Sequence, residues 1–113
     1  MKTPHLYTGS LTVIVMKLLN EHDRMYGYQI VKRVKEITNG GFQITEGALY
    51  PCLHKLEADG CVDVEYAFVG KRTRKYYRLT EKGTQETVQK LAELEGYIQN
   101  MRALIHPKHR EAE

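Results

Sequence analysis

Hydrophobic residues recur at helical spacing through the first half of the chain. Apolar residues three and four positions apart between Leu11 and Leu19 predict a helix over residues 10–21. The same spacing predicts a second helix over 28–38 and a third over 45–59. Pro51 lies inside the third helix and lacks a backbone donor, so we expect that helix either to start late or to bend in its first turns.

After the third helix the pattern changes from helical spacing to alternation. Apolar and polar residues alternate over residues 62–66 and again over 75–79, which predicts two strands. The polar connection 69–73 contains Gly70, and a short connection with glycine is typical of a β-hairpin. A last helix is predicted over residues 81–105.

The order of these elements predicts the fold class. Three helices, two strands and a helix, in 113 residues, match one winged helix-turn-helix with a long C-terminal helix. Such a chain is mainly α with a small β-hairpin, an α+β protein.

Charge is distributed unevenly along the chain, although its net value is only +3. Residues 61–80 contain five bases and two acids, whereas residues 81–100 contain two bases and four acids. Bases on a hairpin can neutralise phosphates and release their counterions. We therefore expect residues 1–80 to be a DNA-binding domain whose wing spans residues 70–78. The bases of this wing are Lys71, Arg72, Arg74, Lys75 and Arg78.

The third helix is the candidate recognition helix. Opposite its leucines it carries polar and aromatic side chains able to reach phosphates or base edges in a major groove. Gly47 has no side chain, so the start of this helix can approach a phosphate closely. The helix is not basic, and we expect the wing to supply most of the electrostatic affinity. The other candidate residues here are Thr45, Glu46, Tyr50, His54 and Lys55.

The C-terminal helix carries a heptad seam of the coiled-coil type. Its apolar residues are spaced 3, 4, 3 and 4 apart, as Leu91, Leu94, Ile98, Met101 and Ile105. Such a seam could pack back on its own core or pair with a second copy. We favour a homodimer, because two-fold helix-turn-helix dimers match palindromic operators. Residues 81–105 are then a dimerisation helix and 106–113 a disordered tail.

Motifs for catalysis are absent from the sequence. There is no Gly-rich phosphate loop, nucleophile elbow or His-Glu-x-x-His, so we expect no enzyme, catalytic residue or cofactor. Cys52 and Cys61 are expected to be small buried groups, with no metal site. A metal- or redox-sensing role through them and His54 is a rival hypothesis, but it is poor in ligands.

The sequence also predicts where the protein works. Its longest apolar stretch is too short to span a bilayer, so we expect no membrane association. No basic and apolar leader is present, and two cysteines fit a reducing compartment. We expect a cytoplasmic, nucleoid-associated protein.

Several segments together resemble one known family. Tyr26–Ile30 (YGYQI), Ile44–Pro51 (ITEGALYP), Leu53–Gly60 (LHKLEADG) and Gly70–Gly83 (GKRTRKYYRLTEKG) are similar to the PadR family of bacterial transcriptional regulators. The resemblance implies a homodimeric repressor, often of detoxification, multidrug-export or phenolic-acid genes. It implies that the third helix enters the major groove and that the wing contacts the backbone or minor groove. It also implies that Tyr28 supports this helix or touches a phosphate.

The resemblance further implies a partner beyond DNA, a small aromatic or drug-like effector. Some relatives hold flat drugs between tryptophans at the dimer centre, but this chain has no tryptophan, so a pocket of that kind is not expected. The alternative function is a winged-helix protein-interaction module that has lost DNA binding. The basic wing argues against that alternative.

Overall fold

The structure, a computed structural model, describes residues 8–107. The elements in chain order are α1 (Thr8–Glu21), α2 (Gly27–Ile37), α3 (Glu46–Ala58), β1 (Val62–Val69), β2 (Arg72–Leu79) and α4 (Glu81–Ile105). The predicted fold class is confirmed, with four helices and one antiparallel hairpin arranged as a winged helix. Most of the predicted tail, residues 108–113, lies outside the described residues.

The helix starts differ in how well the sequence predicted them. Thr45 caps α3, since its Oγ1 accepts a hydrogen bond from the Ala48 N–H at 3.1 Å. The late start allowed by Pro51 is therefore wrong, and the proline lies inside the helix. The first helix begins at Thr8, two residues before the predicted start, because its first turn has no apolar residue to mark it.

The hairpin is longer than predicted. Its strands pair without a break from the Val62–Leu79 pair to the Val69–Arg72 pair, so the turn is only two residues rather than five. Gly70 has a φ of +63° at the first turn position, where type II′ turns place glycine. The outer residues of β1 were missed because Ala67 and Val69 are apolar at positions where the alternation requires polar residues.

The core lies between the first three helices and the inner face of the hairpin. Its buried residues are Leu11, Val15, Met16, Leu18, Leu19, Met25, Ile30, Val34, Ile44, Leu49, Leu53, Leu56, Cys61, Val62 and Tyr77. The last helix packs along α1 and buries only Gly83 and Thr87. None of the helices within residues 8–107 has the length and apolar character needed to cross a membrane.

A backbone bridge that the sequence pattern did not reveal ties the hairpin to the start of α2. The Met25 N–H donates to the Tyr77 carbonyl at 3.0 Å, and the Tyr77 N–H donates to the Met25 carbonyl at 2.8 Å. A single bridge of this kind leaves no alternating run in the sequence. It fixes the wing beside the first turn of α2.

Candidate nucleic-acid interface

The start of α2, the recognition helix α3 and the wing border one open cavity of about 380 Å³. We call it the α2–wing cleft. Tyr26 and Gly27 lie on one side of it, Tyr50 of α3 at another, and Arg72, Arg74 and Lys75 line its wing side. Within residues 8–107 its lining includes no Asp or Glu. The cleft therefore joins tyrosine side chains and cations on a single face.

Aromatic and guanidinium groups stack at the base of the wing. The Arg24 guanidinium carbon lies 4.1 Å from the centroid of the Tyr76 ring, and Arg74 lies 3.9 Å from that of Tyr26. The two rings meet edge to face, with centroids 5.6 Å apart. Arg74 was predicted only as a DNA contact, but here it also holds the hairpin against α2.

Ion pairs reinforce the same base. Glu65 accepts from Arg24 at 2.6 Å and from Arg78 at 3.0 Å, and Arg78 also lies 3.3 Å from the Asp23 carboxylate. Arg78 was counted among the projecting bases of the wing, which is wrong. Its guanidinium turns toward the base, because it lies at the end of β2 nearest the core.

The outer wing places its cations differently. Lys71 at the turn and Arg72 beside it are exposed, as expected of groups that contact phosphates. Lys75 is half-buried, and its Nζ lies 5.3 Å from the centroid of the Tyr77 ring. Partial burial acts to lower the pKa of Lys75, but Tyr77 and nearby Tyr66 and Glu57 outweigh it and raise that pKa. The side chain therefore stays cationic.

The polar face of α3 is divided between capping, cleft and solvent. The Thr45 hydroxyl is engaged in capping, while Glu46, Gly47 and His54 are exposed. Tyr50 is half-buried and turns into the cleft. Burial, with a contribution from Glu46, raises its pKa, so the hydroxyl keeps its proton and can donate a hydrogen bond.

One predicted residue lies apart from this face. Lys55 is about 140° around the helix from Tyr50, because each residue turns an α-helix by about 100°. It lines a different hollow, between α1, α3 and α4, beside Asp59 and Glu86. The structure therefore does not bring Lys55 together with the wing.

The two cysteines border that second hollow. Cys52 Sγ lies 3.7 Å from Thr12 Oγ1, and burial raises the pKa of both the Cys52 and the Cys61 thiol. His54 does not line the hollow. No three His, Cys, Asp or Glu side chains of the described part of the chain gather as a metal-binding group. The metal-sensing hypothesis thus lacks a ligand set here.

Sequence reasoning overlooked part of this face. Tyr28, which the family resemblance implicated, is exposed at the start of α2. The overlooked residues are Lys32 and Arg33, which border a surface hollow next to it. The first helix of a helix-turn-helix crosses the DNA backbone, so these bases extend the candidate surface. The polar face of α2 could have indicated them. Gly27 was also missed as a residue of this face. The Tyr-Gly-Tyr sequence at the start of α2 could have indicated it.

The predicted seam on α4 is split by the fold. Leu91 and Leu94 are half-buried, and Leu94 borders a groove with Val13 of α1. The distal seam residues are exposed, as are two apolar residues outside the predicted seam. This distal face comprises Tyr97, Ile98, Met101, Leu104 and Ile105. The inner part of the seam therefore packs beside α1, and pairing of its outer part with a second copy stays a prediction.

Known proteins resemble this chain over most of its length. The Transcriptional regulator PadR-like family matches residues 15–89. An uncharacterized protein X from Lysinibacillus sphaericus is 38% identical over 96 residues, which cover 80% of this chain and 85% of that protein.

Solved structures agree with these similarities. A transcriptional regulator from Clostridium thermocellum has a TM-score of 0.75 and 31% identity, covering 83% of this chain and 88% of that one. A PadR family transcriptional regulator from Eggerthella lenta has a TM-score of 0.71 and 29% identity, covering 88% and 85%. With the winged helix and its basic face, these matches show that the chain belongs to the PadR-like family of DNA-binding transcriptional regulators.

Proposed function

We propose that this protein is a homodimeric repressor that binds a palindromic operator and does not act as an enzyme. The α3 helix enters the major groove, and the wing contacts the phosphate backbone beside it. A small aromatic or drug-like effector releases the DNA. The protein works in the cytoplasm, associated with the nucleoid.

The observation that carries this proposal is the convergence of three elements on one face. Tyr50 of α3, the start of α2 and the wing meet at the α2–wing cleft, whose lining is rich in cations. Exposed Lys71 and Arg72 lie at the outer end of the wing, where they can reach a duplex beyond the recognition helix.

The distal face of α4 supports the homodimer. Leu104 is 76% exposed and Ile105 is 62% exposed, so two large apolar side chains face solvent near the end of the helix. Pairing with a second copy removes this apolar area from water and sets two recognition helices across a two-fold axis. That symmetry matches a palindromic operator.

The direct test is a fluorescence anisotropy titration of the protein with its own upstream DNA and with a shuffled duplex. We expect an affinity at least a hundredfold higher for the upstream DNA, and log affinity that falls linearly with log salt. His54→Ala should change the preference among operator variants, because His54 lies exposed on the α3 face.

Lys17→Ala serves as the matched control, since it removes a base of α1 that pairs with Glu21 away from the cleft. Equal affinity for both duplexes, or affinity independent of salt, would contradict DNA-binding regulation and favour a protein-interaction module. Effector action is tested by adding planar aromatic compounds to the bound operator. A compound that lowers the affinity of the protein for its operator supports release of the DNA by an effector.

A further inference from the structure

The most unusual polar group of the structure is the Tyr77 hydroxyl. Tyr77 is 1% exposed, and its hydroxyl makes no hydrogen bond with the described residues, although the Lys75 ammonium lies near enough to interact with it. An unpaired buried hydroxyl costs free energy, so such groups are rare unless a ligand or water completes them. Tyr77 lines the α2–wing cleft, which opens to solvent.

The opposite side of the cleft is the first turn of α2. The N–H groups of Gly27 and Tyr28 have no helix carbonyl in front of them, because they belong to the first turn. The preceding Tyr26 N–H is already taken by the Gln29 Oε1 at 3.0 Å. The free N–H groups and the positive end of the helix dipole favour an anion here.

Gly27 keeps this position open. A Cβ on Gly27 would lie 2.5 Å from the Tyr50 hydroxyl, so only glycine lets that hydroxyl approach the helix start. The Tyr50 hydroxyl keeps its proton because burial raises its pKa, and it is therefore a donor. Tyr50, Tyr77 and a helix start thus border the same cavity, with the cations Arg72 and Lys75 on its wing side.

We propose that the α2–wing cleft holds one phosphate group of the bound DNA, with the Tyr77 and Tyr50 hydroxyls and the first N–H groups of α2 as donors. This inference rests on the proposed function and assigns it a specific anchor. The phosphodiester accepts hydrogen bonds from these donors and balances the wing cations. This contact affects the affinity of the protein for DNA and the position of the protein along the duplex. It does not affect base preference, because every DNA sequence presents the same phosphate.

The test is Tyr77→Phe, which removes only the hydroxyl. We expect affinity for operator and shuffled duplex to fall by about the same factor, roughly tenfold for each copy and so about a hundredfold for the dimer, as for a lost hydrogen bond to a charged acceptor in each half. The melting temperature of the free protein should stay level or rise, because an unpaired buried group is removed. Tyr66→Phe is the matched control, since Tyr66 is exposed on the hairpin and does not line the cleft.

A methylphosphonate scan of the operator locates the phosphate. One neutralised position should weaken DNA binding by the wild-type protein. The same position should weaken Tyr77→Phe and Tyr50→Phe by a smaller factor, because each variant has lost one of the donors to that phosphate. Unchanged DNA affinity in Tyr77→Phe overturns the inference while leaving DNA binding intact. Stabilisation of the wild-type protein but not the variant by inorganic phosphate, with equal DNA affinity, also overturns it and indicates a free-anion site. If the wild-type protein binds no DNA, the proposed function itself fails.

Discussion

The hairpin and the last helix both project from the three-helix core, but they differ in the balance of charge and apolar area at their ends, although the hairpin also exposes Phe68 and Val69. The outer end of the hairpin carries the exposed cations Lys71 and Arg72. The outer end of α4 carries exposed Leu104 and Ile105. Exposed cations are well solvated by water and attract a polyanion, whereas exposed apolar side chains lower the free energy of the protein only when another surface covers them.

The two elements also differ at their inner ends. The hairpin is held to α2 by a backbone bridge, stacked rings and the ion pairs of Glu65. The inner end of α4 is held by close packing, since Gly83 lies directly against the Cys61 carbonyl. Hydrogen bonds add to this packing, because Thr80 Oγ1 donates to the Gly60 carbonyl at 2.7 Å and Lys82 Nζ to the Asp59 carbonyl at 2.6 Å. Ring contacts and ion pairs therefore orient the wing, whereas close packing and hydrogen bonds to backbone carbonyls orient the start of α4.

The largest effect is expected at the apolar end of α4. Ile98→Asp places a charge in the proposed dimer interface twice, once in each copy. Burying a side chain of this size contributes about 1.5–3 kcal/mol, so its double loss should weaken the dimer by more than a hundredfold. Sedimentation equilibrium measures this, and operator affinity should fall with it.

Gln99→Asp is the control for that change, because it adds the same charge at an exposed polar neighbour on α4. An unchanged dimer in Ile98→Asp would contradict the proposed role of the distal face. If both the wild-type protein and Ile98→Asp are monomeric at micromolar concentration, the proposed homodimer itself is contradicted.

The next effect concerns the inner end of α4. Gly83→Ala sets a Cβ against the Cys61 backbone carbonyl, and such overpacking typically destabilises a fold by about 1–3 kcal/mol. Gly96→Ala has open space at the same helix and should stabilise the protein by about 0.5–1 kcal/mol. Urea unfolding of both variants measures the difference. Equal effects would show that the start of α4 is not tightly packed.

The smallest effect separates the two ends of the hairpin. Glu65→Gln weakens the ion pairs at the base, whose side chains are partly exposed, and should lower stability by about 0.5–1 kcal/mol without changing the salt slope. Arg72→Gln should leave stability unchanged and reduce the salt slope by about 2, because each copy of the dimer loses one phosphate contact. Thermal melts and DNA titrations at several salt concentrations measure both. A reversed pattern would mean that Glu65 lies at the DNA and that Arg72 holds the fold.

Local sequence patterns were sufficient to predict the architecture. Apolar spacing gave the order of helices and strands, and Gly70 marked the hairpin turn that its φ of +63° requires. The position of the cations on the wing also followed from the sequence, because a hairpin keeps neighbouring residues together. Periodicity and turn chemistry depend only on nearby residues, which explains why they can be read without the fold.

Only the tertiary structure decided which of those residues are free to bind. Arg74 and Arg78 are both bases of the wing, yet Arg74 stacks on Tyr26 and Arg78 pairs with Glu65 and Asp23. Lys55 shares a helix with Tyr50 but faces another hollow. The sequence determined the helices, the hairpin and the seam on the last helix. The fold decided the partners of each side chain, because contacts between distant segments depend on packing that no local pattern encodes.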